Sequence, residues 1–396
     1  MTGHMKASIR RLFSITTAIG LMMVGCGPMA QQPLSRLDTP EHHALTGMRL
    51  INQGKVFDAG REFELALRLE PHSAKARTGA ALVSAYGGDF PGARTLIDQA
   101  SGDVRDDEEQ LFVLVGSIRV DLLGRAACLR SGGECMADGT WFASARTAFD
   151  RALALDPRAA EALYFMGECH LAALDLEAAG RMFSRVLDLG TERVAEADAG
   201  WKRVQKIQRA MPATETGKRI ALLERVTRAD AAALFMDELQ IDALYAQRAL
   251  RGFATALKVS PKAGAQGAGP GDIAGHPLRA DIEGVLRAGM RGFELFPDGS
   301  FRPAQPVDRA DFAVMIEDIL LRITGDGALD TRFAGSPSPF PDLEPDLPCF
   351  NAVMVVTSRG IMEPWDPGTG AFAPLRPIAG LEALRVIRKL REEWRY

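Results

Sequence analysis

The hydrophobic positions of this chain change rhythm along its length. A predominantly apolar stretch over residues 12–24, without a charged residue, follows Lys6, Arg10 and Arg11. It is too short to cross a bilayer as a helix and has the length of a signal-peptide core. From about residue 40, small and apolar residues take helical spacing and then repeat. Gly54 recurs as Gly88, Ala59 as Ala93, Ala66 as Ala100, Ala145 as Ala179 and Phe149 as Phe183, a period of 34 residues. Small residues at these places let paired helices approach, and an aromatic side chain fills the gap between them. Pro71 and Pro157 fall where a helix must end and turn. Ala93 to Ala145 exceeds one period by about 18 residues, with the excess around residues 125–141. A helix over residues 192–211, with Trp201 and a polar face of Lys202, Arg203, Lys206 and Arg209, is predicted to cap the stack. Beyond residue 216 the spacing stops and Pro and Gly rise. Apolar stretches over 231–239 and 312–321 keep the spacing of core-facing helices. The pattern predicts a mainly α protein.

A 34-residue period is the signature of a tetratricopeptide solenoid. The run Gly54-Lys55-Val56-Phe57-Asp58-Ala59, followed by Phe63, Ala66 and Pro71, resembles the second helix of such a repeat. So does Phe142 through Ala145, Phe149, Ala152 and Pro157. The resemblance covers residues 40–211 and implies an interaction scaffold with a concave face. By repeat position, Asn52, Tyr86, Tyr164 and Glu168 are the candidate partner-facing residues; a solvated or half-packed side chain is the competing reading for each.

At the start of the chain, Met23-Val24-Gly25-Cys26 resembles a bacterial lipobox. The resemblance implies cleavage after residue 25 and acylation of Cys26, and Gly27 in place of Asp favours the outer membrane. An ordinary secretory signal with an incidental cysteine is the alternative. Residues 26–39, polar and punctuated by proline, read as a tether.

The C-terminal part repeats differently. Asp272-Ile273 and His276 open a segment that runs through Leu286 and Gly289 to Asp298-Gly299-Ser300-Phe301-Arg302-Pro303 and ends in Val307-Asp308-Arg309-Ala310-Asp311-Phe312. That segment is copy two in chain order; copy three begins at Phe340-Pro341-Asp342, passes Gly360-Ile361 and Gly370-Ala371-Phe372-Ala373-Pro374, and has Ile378-Ala379-Gly380-Leu381-Glu382 at its helix start. Copy one is represented by the helix start Val226-Thr227-Arg228-Ala229-Asp230, with no recognisable front half. The region from 216 onward resembles three S-layer homology repeats, the first and last degenerate, joined by flexible stretches at 260–271 and 335–341. Thr227 and Asp308, each with Asp three residues on, suit helix N-caps.

Capping leaves Arg228 and Arg309 unexplained, because the helix dipole disfavours a cation in the first turn. A guanidinium beside free helix-start amides suits a carboxylate or phosphate in a two-pronged way. The resemblance implies that this arginine helps recognise acidic wall glycans, so both are expected to be exposed in grooves between copies. A surface ion pair with a neighbouring acid is the competing reading. Gly380 at the matching place in the last copy offers no side chain, so no third site is expected.

Composition narrows the picture further. With a net charge of −4 and a pI near 6.0, the chain lacks the basic footprint of a nucleic-acid binder. Its 47% hydrophobic content can supply a core, which excludes a disordered solvating chain. There is no His-Glu-x-x-His, Walker loop or Gly-x-Ser-x-Gly elbow, and His4, His42, His43, His72, His170 and His276 are scattered. No catalytic residue, metal site or cofactor is expected, and the protein reads as a non-enzyme. Cys128 and Cys135 flank a Gly-rich loop and are expected to form a disulfide; a zinc site is the rival, lacking further ligands at suitable spacing. Cys169 reads as a buried apolar residue, and Cys349 has no evident mate.

The sequence therefore predicts a signal peptide (1–25), a tether (26–39), a tetratricopeptide solenoid (40–211) and an S-layer homology module (216–396). The function implied is that of a periplasm-facing outer-membrane lipoprotein. It would bind cell-wall polysaccharide or peptidoglycan through one module and an envelope protein through the other. An assembly factor whose C-terminal module contacts protein instead of glycan is the alternative.

Overall fold

The structure, a computed structural model, describes residues 38–131, 139–250 and 270–394. It is mainly α, and it divides into two compact units, one up to Val120 and one from Asp121 onward.

In the first unit, helices α1 (Pro40–Asn52), α2 (Val56–Leu69), α3 (Ala74–Tyr86) and α4 (Phe90–Gly102) form two antiparallel pairs. Their ends follow local rules. Thr39 caps α1 and Ser73 caps α3 through side-chain oxygens that accept backbone N–H groups, and Asp89 does the same for α4. Two further glycines, outside the 34-residue recurrences, make room for one aromatic ring. Phe63 of α2 is fully buried, and a Cβ added at Gly47 would lie 2.6 Å from its ring. A Cβ added at Gly79 of α3 would meet the same ring. One aromatic thus fills the gap between three helices, and only glycine lets the helices close on it.

Helix α5 (Asp107–Ser131) crosses from the first unit into the second. The surplus expected as a loop at 125–141 therefore begins as helix through Ser131. The run Leu122-Leu123-Gly124-Arg125-Ala126-Ala127 is rich in good helix formers and contains no proline. In the second unit, α6 (Thr140–Leu155), α7 (Ala160–Ala172), α8 (Leu176–Leu189) and α9 (Val194–Ala210) repeat the packing of the first. Phe183 takes the place of Phe63, with Gly167 and Gly200 at 2.7 and 2.8 Å from its ring if given a Cβ. Helix α9 buries Ala197, Gly200, Val204, Ile207 and Ala210 and exposes Trp201, Lys202, Arg203, Lys206 and Arg209.

The end of this stack continues directly into the C-terminal region, where α10 (Glu215–Ala221), α11 (Arg228–Ala233), a π-helical turn (Leu234–Glu238), α12 (Ile241–Leu250), α13 (Arg279–Arg287), α14 (Arg309–Thr324), α15 (Phe350–Ser358) and α16 (Gly380–Trp394) follow. Arg388 of α16 donates to Arg209 O at 2.5 Å, and Arg203 of α9 donates to Leu222 O at 2.7 Å. The buried Glu238 carboxylate accepts from Thr214 N at 2.9 Å, Thr214 Oγ1 at 2.8 Å and Ala213 N at 3.2 Å, and pairs with Arg391 at 2.6 Å. One carboxylate therefore ties the chain entering the region to the helix that ends it.

Candidate functional site

Three extended segments meet at the centre of the C-terminal region, and their main chains close a ring. Val307 N donates to Val226 O at 2.9 Å, Ile378 N to Val307 O at 3.0 Å, and Val226 N to Ile378 O at 2.9 Å. Val226, Val307 and Ile378 are buried and precede α11, α14 and α16. Each helix start then reaches the neighbouring segment. Arg228 N donates to Gln305 O, Arg309 N to Arg376 O and Gly380 N to Leu223 O, each at 2.9 Å. The arrangement is a three-fold ring cut from one chain. The helix starts are capped as expected: Thr227 and Asp230 form a reciprocal capping box, and Asp308 accepts Asp311 N at 2.7 Å.

Arg228 and Arg309 lie at these helix starts, but the expectation that they are exposed is corrected. They are 8% and 1% exposed. Arg228 Nε donates to Phe301 O at 2.9 Å, Nη1 to Gly292 O at 2.7 Å and Nη2 to Glu294 O at 3.0 Å. Arg309 Nε donates to Phe372 O at 2.8 Å, Nη2 to Glu363 O at 2.7 Å, and Nη1 pairs with Glu382. The guanidinium carbons sit 4.7 Å from the Phe301 ring centre and 4.5 Å from that of Phe372. Burial lowers the pKa of both, that of Arg309 to about 10. The physical reason for the error is direction. The side chain leaves its own helix and turns into the next copy, where carbonyls without other partners compensate the cation. A planar fork with five donors suits three acceptors at once, and an ammonium would not.

The carbonyls that receive each arginine belong to a tight hairpin, and a carboxylate clamps each hairpin from below. Asp272 accepts Phe301 N at 3.1 Å and Arg302 N at 2.7 Å; Asp342 accepts Phe372 N at 2.8 Å and Ala373 N at 2.7 Å. Arg302 and Ala373 both have φ of 57°, a left-handed conformation that costs energy without glycine. It turns two successive N–H groups toward one carboxylate, which offsets the strain. These clamps were missed in the sequence. The signal was there: an Asp stands about 30 residues ahead of a Phe-x-Pro turn in both copies.

The helix-stack candidates fall into two groups. Asn52 is exposed and accepts from Arg119 Nη2 at 3.4 Å, and Tyr86 is exposed; both belong to the first unit. Tyr164 and Glu168 sit one turn apart on α7 in the second unit, both half-buried. The Tyr164 ring lies 5.9 Å from the Arg193 guanidinium. Burial raises the Glu168 carboxyl, opposed by the positive charge of Arg203. Cys26 and Cys135 lie outside the described residues. Cys128 is disulfide-bonded, while Cys169, buried, and Cys349 are free. Among the described residues no group of His, Cys, Asp and Glu could hold a metal ion, and no helix is long and apolar enough to cross a membrane.

Comparison with known proteins bears on the ring. The S-layer homology domain family matches residues 293–313, which span the copy-two hairpin, Arg309 and the first turn of α14. The chain thus carries an S-layer homology region near its C-terminus. Cell surface glycoprotein 1 of Acetivibrio thermocellus is 33% identical over 115 residues, 28% of this chain. The aligned part is 4% of that relative's own length. No solved structure matches.

Proposed function

We propose that this is a cell-envelope protein whose C-terminal ring attaches to a cell-wall polymer, polysaccharide or peptidoglycan, while its stacked helix pairs hold a protein partner. The observation that carries the reading is the S-layer homology match at 293–313, because S-layer homology domains typically bind cell-wall polymers. The similarity to a cell surface glycoprotein supports the location. The helix pairs read as tetratricopeptide repeats, and Tyr164 and Glu168, adjacent on one helix, are the better placed of the partner-facing candidates. Cys26 reads as the acylated residue that holds the chain in the outer membrane, facing the periplasm. The protein acts by binding and has no catalytic role in this reading.

In this reading Arg228 and Arg309 support recognition by shaping the ring. Their guanidinium nitrogens are spent on main-chain carbonyls, so the polymer meets the hairpin rims that they hold in place. The same burial favours a second reading, in which the ring is a protein-contact surface of an assembly factor. Co-sedimentation of the lipid-free full chain with purified sacculi separates the two. The first reading expects most of the protein in the pellet, with release by soluble wall polymer. Protein that stays in the supernatant at every sacculus concentration overturns wall attachment and leaves the assembly factor.

A further inference from the structure

His43 is a half-buried histidine that neither the ring nor the helix-stack candidates account for. It stands in the first turn of α1. Both of its ring nitrogens meet carboxylates. Nδ1 lies 2.6 Å from Glu62 Oε2 on α2, and Nε2 lies 2.9 Å from Asp38 Oδ1, one residue ahead of the Thr39 cap. An ionised carboxylate only accepts hydrogen bonds, so each ring nitrogen has to donate. A neutral imidazole has one N–H and would turn a lone pair toward the second carboxylate. Two donors are present only in the imidazolium, and the geometry therefore requires the extra proton.

The surroundings support that state. Burial works to lower the pKa of His43, but the hydrogen bonds and charges of Glu62 and Asp38 outweigh it and leave the value above the ordinary 6.5. The other charged groups of the packed helices are engaged elsewhere or exposed. On α3, which also packs on α1, Lys75 pairs with Glu108 and Arg77 with Asp103. On α2, Asp58, Arg61, Glu64 and Arg68 are exposed, as are Glu41 and Arg49 on α1, and the His42 ring stands edge-on at 5.7 Å. The two carboxylates are not equivalent. Glu62 lies in the middle of α2 and makes the shorter contact, whereas Asp38 lies outside α1, on the chain that leads into it. When the ring gives up one proton, the stronger contact keeps the other at Nδ1. Nε2 then turns a lone pair to the Asp38 carboxylate, and the two repel. A lysine or arginine would make the same tie at every pH; histidine makes it conditional.

We propose that His43 is a proton-operated latch: charged, it ties the chain ahead of α1 to α2, and on losing its proton it releases Asp38 while keeping Glu62. The sign follows from the raised pKa. The tie contributes fully below the ordinary histidine value and is lost as pH rises through the higher folded-state value. The start of the helix stack is thus fixed at mildly acidic pH and loosened at alkaline pH. The latch acts within the first helix pair and does not depend on what the C-terminal ring binds.

The latch can be tested on the lipid-free full chain with isotope-labelled histidine, followed by NMR as the pH is raised from about 5 to about 9. His43→Gln identifies the resonance. Its titration midpoint should lie above the ordinary 6.5, and both Glu62→Gln and Asp38→Asn should lower it. Amide exchange over the first turn of α1, corrected for intrinsic base catalysis, should quicken by about three- to tenfold as the pH passes that midpoint. In Asp38→Asn the step should shrink, because an amide side chain can bond the ring in either protonation state. A midpoint at or below the ordinary histidine value would overturn the proposal, since the ring would then not be held as a cation. Corrected exchange that ignores the midpoint, or that steps equally in Asp38→Asn, would overturn it too, since Asp38 would then not be what is released.

Discussion

Arg309→Ala should unfold the C-terminal ring far more easily than a surface substitution would. The side chain is 1% exposed and meets two main-chain carbonyls, Phe372 O and Glu363 O, and the Glu382 carboxylate. Truncation removes every donor at once. Leaving buried acceptors without partners costs about 1–3 kcal/mol, and more when one of them is charged. Breaking a buried ion pair from one side costs about 3–5 kcal/mol. The lost stacking on Phe372, at 4.5 Å, is smaller than either and is already within the range. The expected loss is therefore about 3–5 kcal/mol. Arg309→Lys should recover only part of it, since one ammonium keeps the charge but cannot reach acceptors on three sides. Urea unfolding of the full chain, followed by the fluorescence of Trp365 in the adjacent hairpin, measures both. A loss below about 1 kcal/mol for the alanine variant, or full rescue by lysine, would refute the view that this arginine is a ring tie.

The remaining predictions concern the seam of the ring. At Gly380 an added Cβ would fall on the Ile220 carbonyl, which is main chain and cannot rotate away. Gly380→Ala should thus cost at least about 1–3 kcal/mol and speed amide exchange over the start of α16, whereas unchanged exchange would show the contact to be slack. Glu238 gives the ring an acid limit. Burial works to raise its pKa, but the hydrogen bonds from Thr214, Ala213 and Arg391 outweigh it and leave the folded-state value below the ordinary 4.5. A depressed pKa stabilises the fold above the unfolded value and is lost as pH falls through the folded one, so the contribution should fade below about pH 4.5. Glu238→Gln should be less stable at pH 7 by about 1.5–3 kcal/mol, and the gap to wild type should narrow as pH falls below the ordinary carboxylate range; a gap that stays constant as the pH is lowered would contradict the assignment.

Much of this was legible because it is local. The 34-residue recurrence of small residues and of Phe149 with Phe183 marks paired helices, and the structure has stacked helix pairs there. Thr227 with Asp230, and Asp308, could be read as helix starts because a cap acts on N–H groups two or three residues away. Arg228 and Arg309 were misjudged because their acceptors lie 54–73 residues downstream. A helix-dipole argument sees only the first turn and reads an unexplained cation as waiting for a ligand. The turn residues Arg302 and Ala373 carry no glycine signal for their left-handed backbone; Asp272 and Asp342 supply the compensation from about 30 residues away. Helix α10 has no counterpart in the repeat motif, so nothing in the sequence pattern announced it.

That last absence explains why the first and last copies look degenerate. A three-fold ring made from one chain has a single seam, where copy three must meet copy one. At the other two junctions an arginine enters a hairpin of the following copy and finds carbonyls there. At the seam the following copy has no hairpin. Its place is taken by α10, which is reached from α9 through residues 211–214 and fixed by Glu238. An arginine at position 380 would meet helix backbone whose carbonyls are already used within α10, and would be buried without acceptors, at a cost of several kcal/mol. Glycine instead lets the two main chains touch, so that Gly380 N reaches Leu223 O at 2.9 Å and Val226 N reaches Ile378 O at 2.9 Å. The loss of the arginine at 380 and of the front half of copy one are thus two sides of one event. The chain enters the ring at its seam, and the residues there are chosen for closing it.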